Sequence, residues 1–404
     1  MSPSQRRFTH HQDAGDIHTL DPHHELLQCL SRISTYNPPV RTGWGSNNGF
    51  YSGPTSIAYL FYRLSLIYPD LQFEQRSLFD WADSYLGLGS LPSAGEGAPD
   101  SDHCGIANGT LASLTLRSIM RNDQDLAHVL CEHAETINDA EEEGSNEWLY
   151  GRAGYLYFLR LCRSHFETRH RSQALTTKLT QAIESTVRRI MESPLPWTWH
   201  GKEYVGAAHG SMGIITQIVL SCTPGKHPPA LDDVVRKLIE MQLPTGNFPS
   251  SVRRSSYSDH DDRLVQFCHG GPGIVMSLSC IVPCFPTDLQ DKMQAVMERA
   301  RADIWNRGLL TKPPCLCHGI VGNALAFTEP DDARFEQVLA YASTEGLGGN
   351  VKADPARGID KGWLQDAGRD DKFAGLYTGE AGRAWAWAVA DKKLPRTCIG
   401  YNDV

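Results

Sequence analysis

Gly210-Ser-Met-Gly213 places two glycines three positions apart at the start of an apolar run. Successive copies of this pattern begin roughly 45 to 60 residues apart, a period typical of stacked helix pairs. Four further copies read Gly151-Arg-Ala-Gly154, Gly270-Gly-Pro-Gly273, Gly319-Ile-Val-Gly322 and Gly379-Glu-Ala-Gly382. Two looser copies stand earlier, at Gly53-Pro54 and from Gly105 to Gly109. The chain therefore carries seven copies of one unit.

Seven copies predict an all-α fold, an (α/α)7 barrel in which seven inner and seven outer helices form a double-layered toroid. Each copy would supply one apolar inner helix and one amphipathic outer helix. The glycines would let backbones approach closely at the crowded starts of the inner helices. They would also leave N–H groups free at these helix starts. An open solenoid with glycines at its helix starts is the alternative.

Helical periodicity supports this assignment and strand-like alternation is scarce. Three-to-four spacing of apolar residues predicts helices over Tyr59–Ile67, Thr110–Met120, Tyr155–Ser164 and Leu175–Met191. Residues 1–40 are polar and rich in His, and we interpret them as an N-terminal arm with a short helix around Leu26–Ile33. Residues 41–404 form the predicted barrel.

The composition restricts the classes of function. The 404 residues are 41% hydrophobic and 21% charged, with a net charge of -9. No basic run stands out, which argues against nucleic-acid binding. No window reaches about 18 uninterrupted apolar residues, so no transmembrane segment is expected. The start of the chain shows no secretory signal, so we expect a cytoplasmic protein whose 11 cysteines are free thiols or metal ligands.

Two copies of the repeat carry a Cys-His pair directly before the first glycine. They read Phe267-Cys268-His269-Gly270 and Leu316-Cys317-His318-Gly319. Thiolate and imidazole are ligands that zinc prefers, and three protein ligands leave one position for water or substrate. A ring of repeats would bring the two pairs to one central cavity. The alternative is two structural cysteines beside helix starts, and the nearby Cys315 is interpreted as a loop residue.

A third copy places His209 at the matching position, in Gly206-Ala-Ala-His209-Gly210. This histidine has no cysteine beside it. It is a candidate general acid or base, because imidazole exchanges protons near neutral pH. Support of the metal ligands or a place in the core are its alternatives. Arg263, shortly before Cys268, is a candidate residue for lining the cavity.

Several stretches resemble the eukaryotic branch of the lanthionine synthetase C-like (LanC-like) family. They occur in the family's order and span residues 43–391: Trp148–Tyr157, Glu203–Gly210, Thr245–Pro249, and Gly308–Lys312 followed by Cys317–Asn323. The resemblance implies the double-layered barrel. It also implies that zinc is held by Cys268, Cys317 and His318, whereas His269 faces the cavity without binding metal.

The resemblance further implies an activity. Eukaryotic members add glutathione to dehydroalanine or dehydrobutyrine in proteins, often after phosphate is eliminated from phosphoserine or phosphothreonine. His209 matches the family's active-site histidine. Basic residues implicated in the reaction match Lys312 and, in looser alignments, Arg369 and Arg6.

Residue chemistry agrees with that activity. A free thiol has a pKa of about 8.5 and is mostly protonated at neutral pH, and coordination to zinc deprotonates it. The thiolate would attack the β-carbon of the dehydroamino acid, and His209 would supply a proton to the α-carbon. Lys312 and Arg369 would hold a phosphate or a glutathione carboxylate.

Three other functions compete with glutathione addition to peptides or proteins. A cyclase would use the peptide's own cysteine as the thiol. A non-catalytic adaptor would bind glutathione or a signalling protein around a structural zinc. A zinc prenyltransferase-like barrel would need an Asp-Cys-His ligand set, which the repeats do not carry.

Overall fold

The computed structural model describes residues 7–11, 20–39, 48–88, 98–139, 144–170, 172–253, 261–344, 346–347 and 374–404. Seven helices of this part of the chain form an inner layer: α2 (Pro54–Ile67), α4 (Gly109–Arg121), α6 (Arg152–His165), α8 (Ser211–Ser221), α10 (Gly271–Ile281), α12 (Ile320–Leu325) and α14 (Glu380–Lys392). Seven others form an outer layer: α1 (Pro22–Tyr36), α3 (Leu78–Leu88), α5 (Gln124–Asp139), α7 (Gln173–Glu192), α9 (Ala230–Ile239), α11 (Thr287–Arg307) and α13 (Arg334–Ala340).

The inner layer is a closed ring. Each inner helix contacts the next inner helix along the chain, and α14 contacts α2. Each inner helix also packs on one outer helix, which follows it in sequence except for α14, whose partner is α1. The predicted (α/α)7 barrel is therefore confirmed, and the open solenoid is wrong.

The two layers differ in sequence because they differ in burial. Nearly every residue of α8 is buried, as expected for a helix enclosed on all sides. Helix α7 buries one stripe, Leu175, Leu179, Ala182, Ile183, Thr186 and Ile190, whose three-to-four spacing faces the inner layer. The predicted helices over 59–67, 110–120, 155–164 and 175–191 all lie within α2, α4, α6 and α7.

Short elements complete the fold. A two-stranded antiparallel ribbon pairs β1 (Gln72–Phe73) with β2 (Arg76–Ser77). A π-helical turn (Phe166–His170) extends α6, and a 3-10 turn (Val282–Cys284) follows α10. No helix in the described part of the chain is long and apolar enough to cross a membrane.

In five of the seven repeats, the second glycine lies against the loop that precedes its own helix. A Cβ added at Gly213 would collide with the carbonyl oxygen of Ala207, and one at Gly273 with that of Phe267. The same close approach to the carbonyl six positions earlier recurs at Gly154, Gly322 and Gly382. The predicted close approach of backbones is confirmed, and it explains why the glycine pattern recurs.

The N–H groups at these helix starts are not free. In α8, the N–H groups of Ser211, Met212 and Gly213 donate to the carbonyls of Tyr204, Val205 and Gly206 at 3.0, 3.2 and 3.3 Å. The expectation that the glycines leave unpaired donors is therefore wrong here. The folded-back loop satisfies the first turn, as buried backbone groups generally require.

Buried charges join the outer helix α1 to the inner helix α14. The guanidinium of Arg383 on α14 has no solvent exposure and pairs with Glu25 of α1 at 3.0 Å and with Glu380 at 3.1 Å. Arg32 of α1 also binds Glu380, at 2.7 Å. Helix α1 is thus tied by ion pairs to α14 and fills the seventh place in the outer layer.

The end of the chain occupies the space that the inner helices enclose. Gln217 of α8 donates to the Tyr401 carbonyl at 2.9 Å, and the Tyr401 hydroxyl meets Ser277 of α10 at 2.6 Å. Asp403 accepts from Tyr157 of α6 at 2.9 Å and pairs with Arg63 of α2. This tail, residues 398–404, therefore joins four inner helices at the centre of the ring.

Candidate functional site

Loops of different repeats meet at the mouth of the ring through a chain of backbone hydrogen bonds. The Cys268 N–H donates to the Cys317 carbonyl at 3.1 Å, and the Cys317 N–H donates to the Tyr377 carbonyl at 3.0 Å. The Tyr377 N–H continues the chain to Tyr51 at 2.9 Å. Cys268 and Cys317 are 49 positions apart in the sequence, yet the ring makes them direct neighbours, as predicted.

The two thiols form a nearly buried polar pair. Cys268 is 8% exposed and Cys317 is 5% exposed. Their sulfurs lie within hydrogen-bond contact of each other. Gln266 Nε2 donates to the Cys268 sulfur at 3.0 Å, and the Tyr51 hydroxyl donates to the Cys317 sulfur at 3.2 Å.

These contacts shift the pKa values of the two thiols in opposite directions. The Cys317 S–H, then the Gln266 amide and the Lys312 charge, lower the pKa of Cys268 despite its burial. The neighbouring Cys268 sulfur, together with burial, raises the pKa of Cys317 well above its usual range. The positive charge of Lys312, which is connected to Cys268 through the Gln266 amide, favours the thiolate form of Cys268.

Lys312 acts on this pair through an amide. Its Nζ donates to Gln266 Oε1 at 2.7 Å, and the other end of the same amide donates to Cys268. The cation therefore polarises the amide toward the sulfur. Its predicted contact with a phosphate or a glutathione carboxylate stays a prediction.

His209 is held by a buried carboxylate that the sequence analysis missed. Its Nδ1 lies 3.2 Å from Glu147 Oε2, and the Glu147 side chain is 1% exposed. Glu147 also accepts the N–H of Leu149 at 2.6 Å and that of Tyr150. With Nδ1 engaged, Nε2 is the nitrogen left to exchange a proton with a substrate.

Aromatic rings surround His209. Trp199 stacks on its imidazole, with ring centroids 3.9 Å apart and an angle of 4° between the planes. The ring of His269 lies 5.9 Å from that of His209 and 5.6 Å from that of Tyr204. His209 and His269 thus share one aromatic wall beside the thiol pair.

His269 is suited to contact a neutral polar group. Burial, with smaller contributions from His209 and Lys312, lowers the pKa of His269 to about 4, so the ring is neutral at pH 7. Its Nδ1 is buried and has no hydrogen-bond partner within the described ranges. Buried polar groups are usually hydrogen-bonded, so this nitrogen stands out, and the predicted position of His269 facing the cavity stays a prediction.

The third predicted zinc ligand, His318, lies on the same turn as Cys317. Burial and the charge of Lys312 lower its pKa, which favours the neutral imidazole that binds metals. Across the described residues, no group of three or more His, Cys, Asp or Glu side chains is arranged to hold a metal ion. The chemistry of the two adjacent sulfurs, with their surrounding donors, fits zinc, and the ligand role of His318 stays a prediction.

Cys315 differs from the thiol pair. It is fully buried, and burial raises its pKa to about 12. The backbone N–H groups of His318 and Cys317 point at its sulfur and oppose this rise. Cys315 is thus a neutral thiol enclosed by its own turn, which agrees with its interpretation as a loop residue. All eleven cysteines are free thiols.

The predicted basic residues other than Lys312 are not brought to the thiol pair by any described contact. Arg263 is exposed on the loop that leads to Cys268. Arg6 and Arg369 lie outside the described residues. The carbonyl of Arg7, the residue after Arg6, accepts the N–H of Thr311 at 3.0 Å, so the described residues 7–11 pair with the loop segment before Lys312.

Four residues of the site were missed by the sequence analysis: Tyr51, Glu147, Trp199 and Gln266. Glu147 had a signal, since it lies four positions before the repeat glycine Gly151 and directly before the apolar residues Trp148 and Leu149. Gln266 stands two positions before Cys268. Tyr51 and Trp199 reach the site only through the folding of their loops.

Comparisons with known proteins agree with this architecture. The family model for lanthionine synthetase C-like proteins matches residues 45–390. The zebrafish (Danio rerio) protein named glutathione S-transferase LANCL1 is 29% identical over 316 residues, which cover 75% of this chain and 73% of the relative. The Arabidopsis thaliana protein named LanC-like protein GCL1 is 28% identical over 206 residues, covering 49% and 46% respectively.

Proposed function

Because the chain belongs to the lanthionine synthetase C-like family, we propose that it adds a thiol, with glutathione as the first candidate, to dehydroalanine or dehydrobutyrine residues in peptides or proteins. One observation carries the proposal. Two cysteine sulfurs from separate repeats meet beside Gln266 and Lys312, and the ring of His269, the residue after Cys268, lies 5.9 Å from that of His209, which Glu147 holds. The similarity to a protein named as a glutathione S-transferase supports glutathione as the thiol.

Zinc is the metal that this site would take. Cys268 and Cys317 would hold it with His318, and a fourth position would remain for the substrate thiol. Bound there, zinc would lower the pKa of an incoming thiol so that its sulfur is a nucleophile at neutral pH. Gln266 and Tyr51 would stabilise the two ligand thiolates through the hydrogen bonds that they already donate.

Side chains of this protein would deliver the proton to the α-carbon and stabilise the charges of the reaction. In the addition, a bond forms between sulfur and the β-carbon, the C=C bond is lost, and a proton arrives at the α-carbon. His209 would deliver that proton from Nε2, while Glu147 stabilises the imidazolium through Nδ1. Lys312 would attract the carboxylate of the thiol substrate or a phosphate leaving group.

The same residues suit the preceding elimination. Loss of phosphate from phosphoserine or phosphothreonine requires removal of the α-proton and departure of the phosphate oxygen. His209 would take the α-proton, and Lys312 would stabilise the departing charge. The cavity would then already hold the dehydroamino acid that the thiol attacks. A cytoplasmic setting, in which glutathione is the abundant thiol, suits both steps.

Mass spectrometry tests the proposal directly. The protein would be incubated with a dehydroalanine peptide with and without glutathione. We expect one glutathione to be added to the peptide at a rate above the uncatalysed reaction. His209→Ala should abolish this gain and keep the metal. Unchanged turnover in His209→Ala, or a rate equal to the uncatalysed one in the wild type, would contradict the proposal.

A further inference from the structure

Trp199 lies at the base of a two-residue hairpin. The Trp199 N–H donates to the Lys202 carbonyl at 2.9 Å, and the Lys202 N–H returns to the Trp199 carbonyl at 3.1 Å. The two central residues, His200 and Gly201, have φ values of 48° and 69°. This left-handed pair is typical of a type I′ turn, which fixes the direction of both flanking residues. The hairpin therefore sets where the indole of Trp199 points.

The indole covers one face of the His209 imidazole. The two rings are nearly parallel at 4°, with centroids 3.9 Å apart, which is direct stacking contact. Tyr204 meets the indole edge-on at 5.7 Å. Glu147 holds the same imidazole by its Nδ1 edge at 3.2 Å. His209 is thus fixed by an edge contact and a face contact from two separate loops.

Gly144 lies against the indole, in a place where any side chain would collide with it. A Cβ at Gly144 would lie 2.5 Å from the Cδ1 atom of Trp199 and 3.3 Å from its Nε1. The φ of Gly144 is +88°, a conformation that also favours glycine. The indole therefore contacts the backbone at residue 144 as well as the imidazole of His209.

We propose that Trp199 is a positioning residue that holds the imidazole of His209 in its reactive orientation. This inference rests on the proposed function, in which His209 transfers the proton. The Nδ1 bond to Glu147 alone leaves the ring free to swing about that bond. The parallel indole removes this freedom, because a tilted imidazole would lose its stacking contact or collide with the indole. Nε2 then keeps one direction relative to the thiol pair.

Kinetics of four variants test the proposal. Trp199→Ala removes the face contact, and Trp199→Phe keeps an aromatic face. Gly144→Ala places a methyl group where it collides with the indole, and the amino acids at positions 199 and 209 stay those of the wild type. Gly225→Ala is the matched control, since Gly225 also has positive φ, +73°, but has open space around it. Both glycine variants carry similar backbone strain, and only one displaces the indole.

We expect Trp199→Ala and Gly144→Ala to lower kcat by about 10-fold or more while KM changes less than about twofold, because an orientation needed in the transition state is lost. Trp199→Phe should recover most of the kcat, and Gly225→Ala should match the wild type. Wild-type kcat in both Trp199→Ala and Gly144→Ala would overturn the proposal. So would an equal loss in Gly225→Ala.

Nuclear magnetic resonance of 15N-labelled histidine gives a readout that needs no turnover, with His209→Ala used for assignment. We expect the wild type to show His209 as a single tautomer with the proton on Nδ1. Trp199→Ala should give a broadened or mixed-tautomer signal, and Trp199→Phe a wild-type one. An unchanged His209 signal in Trp199→Ala would overturn the positioning role. Absence of thiol addition by the wild type would refute the proposed function instead, and the resonance result would still decide the orientation.

Discussion

Replacing Asp403 with Ala should be among the most destabilising single changes in this chain. The Asp403 carboxylate is 1% exposed and is paired with the Arg63 guanidinium. Its Oδ1 atom also accepts from the Tyr157 hydroxyl at 2.9 Å and from the Gly400 N–H at 2.8 Å. Removing one partner of a buried ion pair typically costs about 3–5 kcal/mol, because the other charge stays buried without compensation.

Urea unfolding followed by circular dichroism measures this cost. We expect the transition midpoint to fall and the slope to stay constant, since the folded state exposes no new surface. The double variant Asp403→Leu with Arg63→Met should be less destabilised than the sum of its single changes, because it leaves no unpaired charge. If Asp403→Ala lowers the free energy of unfolding by less than about 1 kcal/mol at unchanged slope, the claim that the tail holds the inner helices together is refuted.

Three further predictions concern the repeat glycines and the site. Gly213→Ala should destabilise by about 1–3 kcal/mol, because the added methyl group meets a carbonyl. The matched control Gly87→Ala has open space around it and should be neutral or stabilising; equal unfolding curves for the two would contradict this. Glu147→Gln should lower kcat about 100-fold, because the imidazolium of His209 loses the carboxylate that stabilises it. Wild-type turnover rates in stopped-flow measurements would disprove this. Gln266→Ala should weaken zinc binding 10- to 100-fold in a competition titration, since Cys268 loses a hydrogen bond; an unchanged affinity would exclude that role.

The fold could be predicted from the sequence because its repeat has a local physical cause. Glycines such as Gly213 and Gly273 are required where a carbonyl of the preceding loop occupies the space of a Cβ. This requirement depends only on nearby residues, so it leaves a visible period. The position of the seventh outer helix, α1, has a different physical cause. Helix α1 reaches α14 through Arg383, Glu25 and Arg32, contacts that no periodicity in the sequence reveals.

The site was predictable where its residues sit at equivalent positions of the repeat. Cys268 matches Cys317, and His209 matches His269 and His318, so the repeat places all of them in loops before inner helices. Trp199 could not be foreseen, because its position depends on a hairpin that folds back over a different repeat position. Gln266 was missed for another reason. An uncharged amide in a sequence does not indicate a role, and only the structure shows that its two ends contact Lys312 and Cys268.

The metal content of the purified protein, measured by inductively coupled plasma mass spectrometry after zinc loading and desalting, tests the central claim most directly. The account predicts one zinc per chain in the wild type and in Cys315→Ala, and loss of that zinc in Cys317→Ala and Cys268→Ala. A wild-type protein that retains no zinc, or a Cys317→Ala variant that keeps a full equivalent, would contradict the claim that two distant repeats together hold the ion.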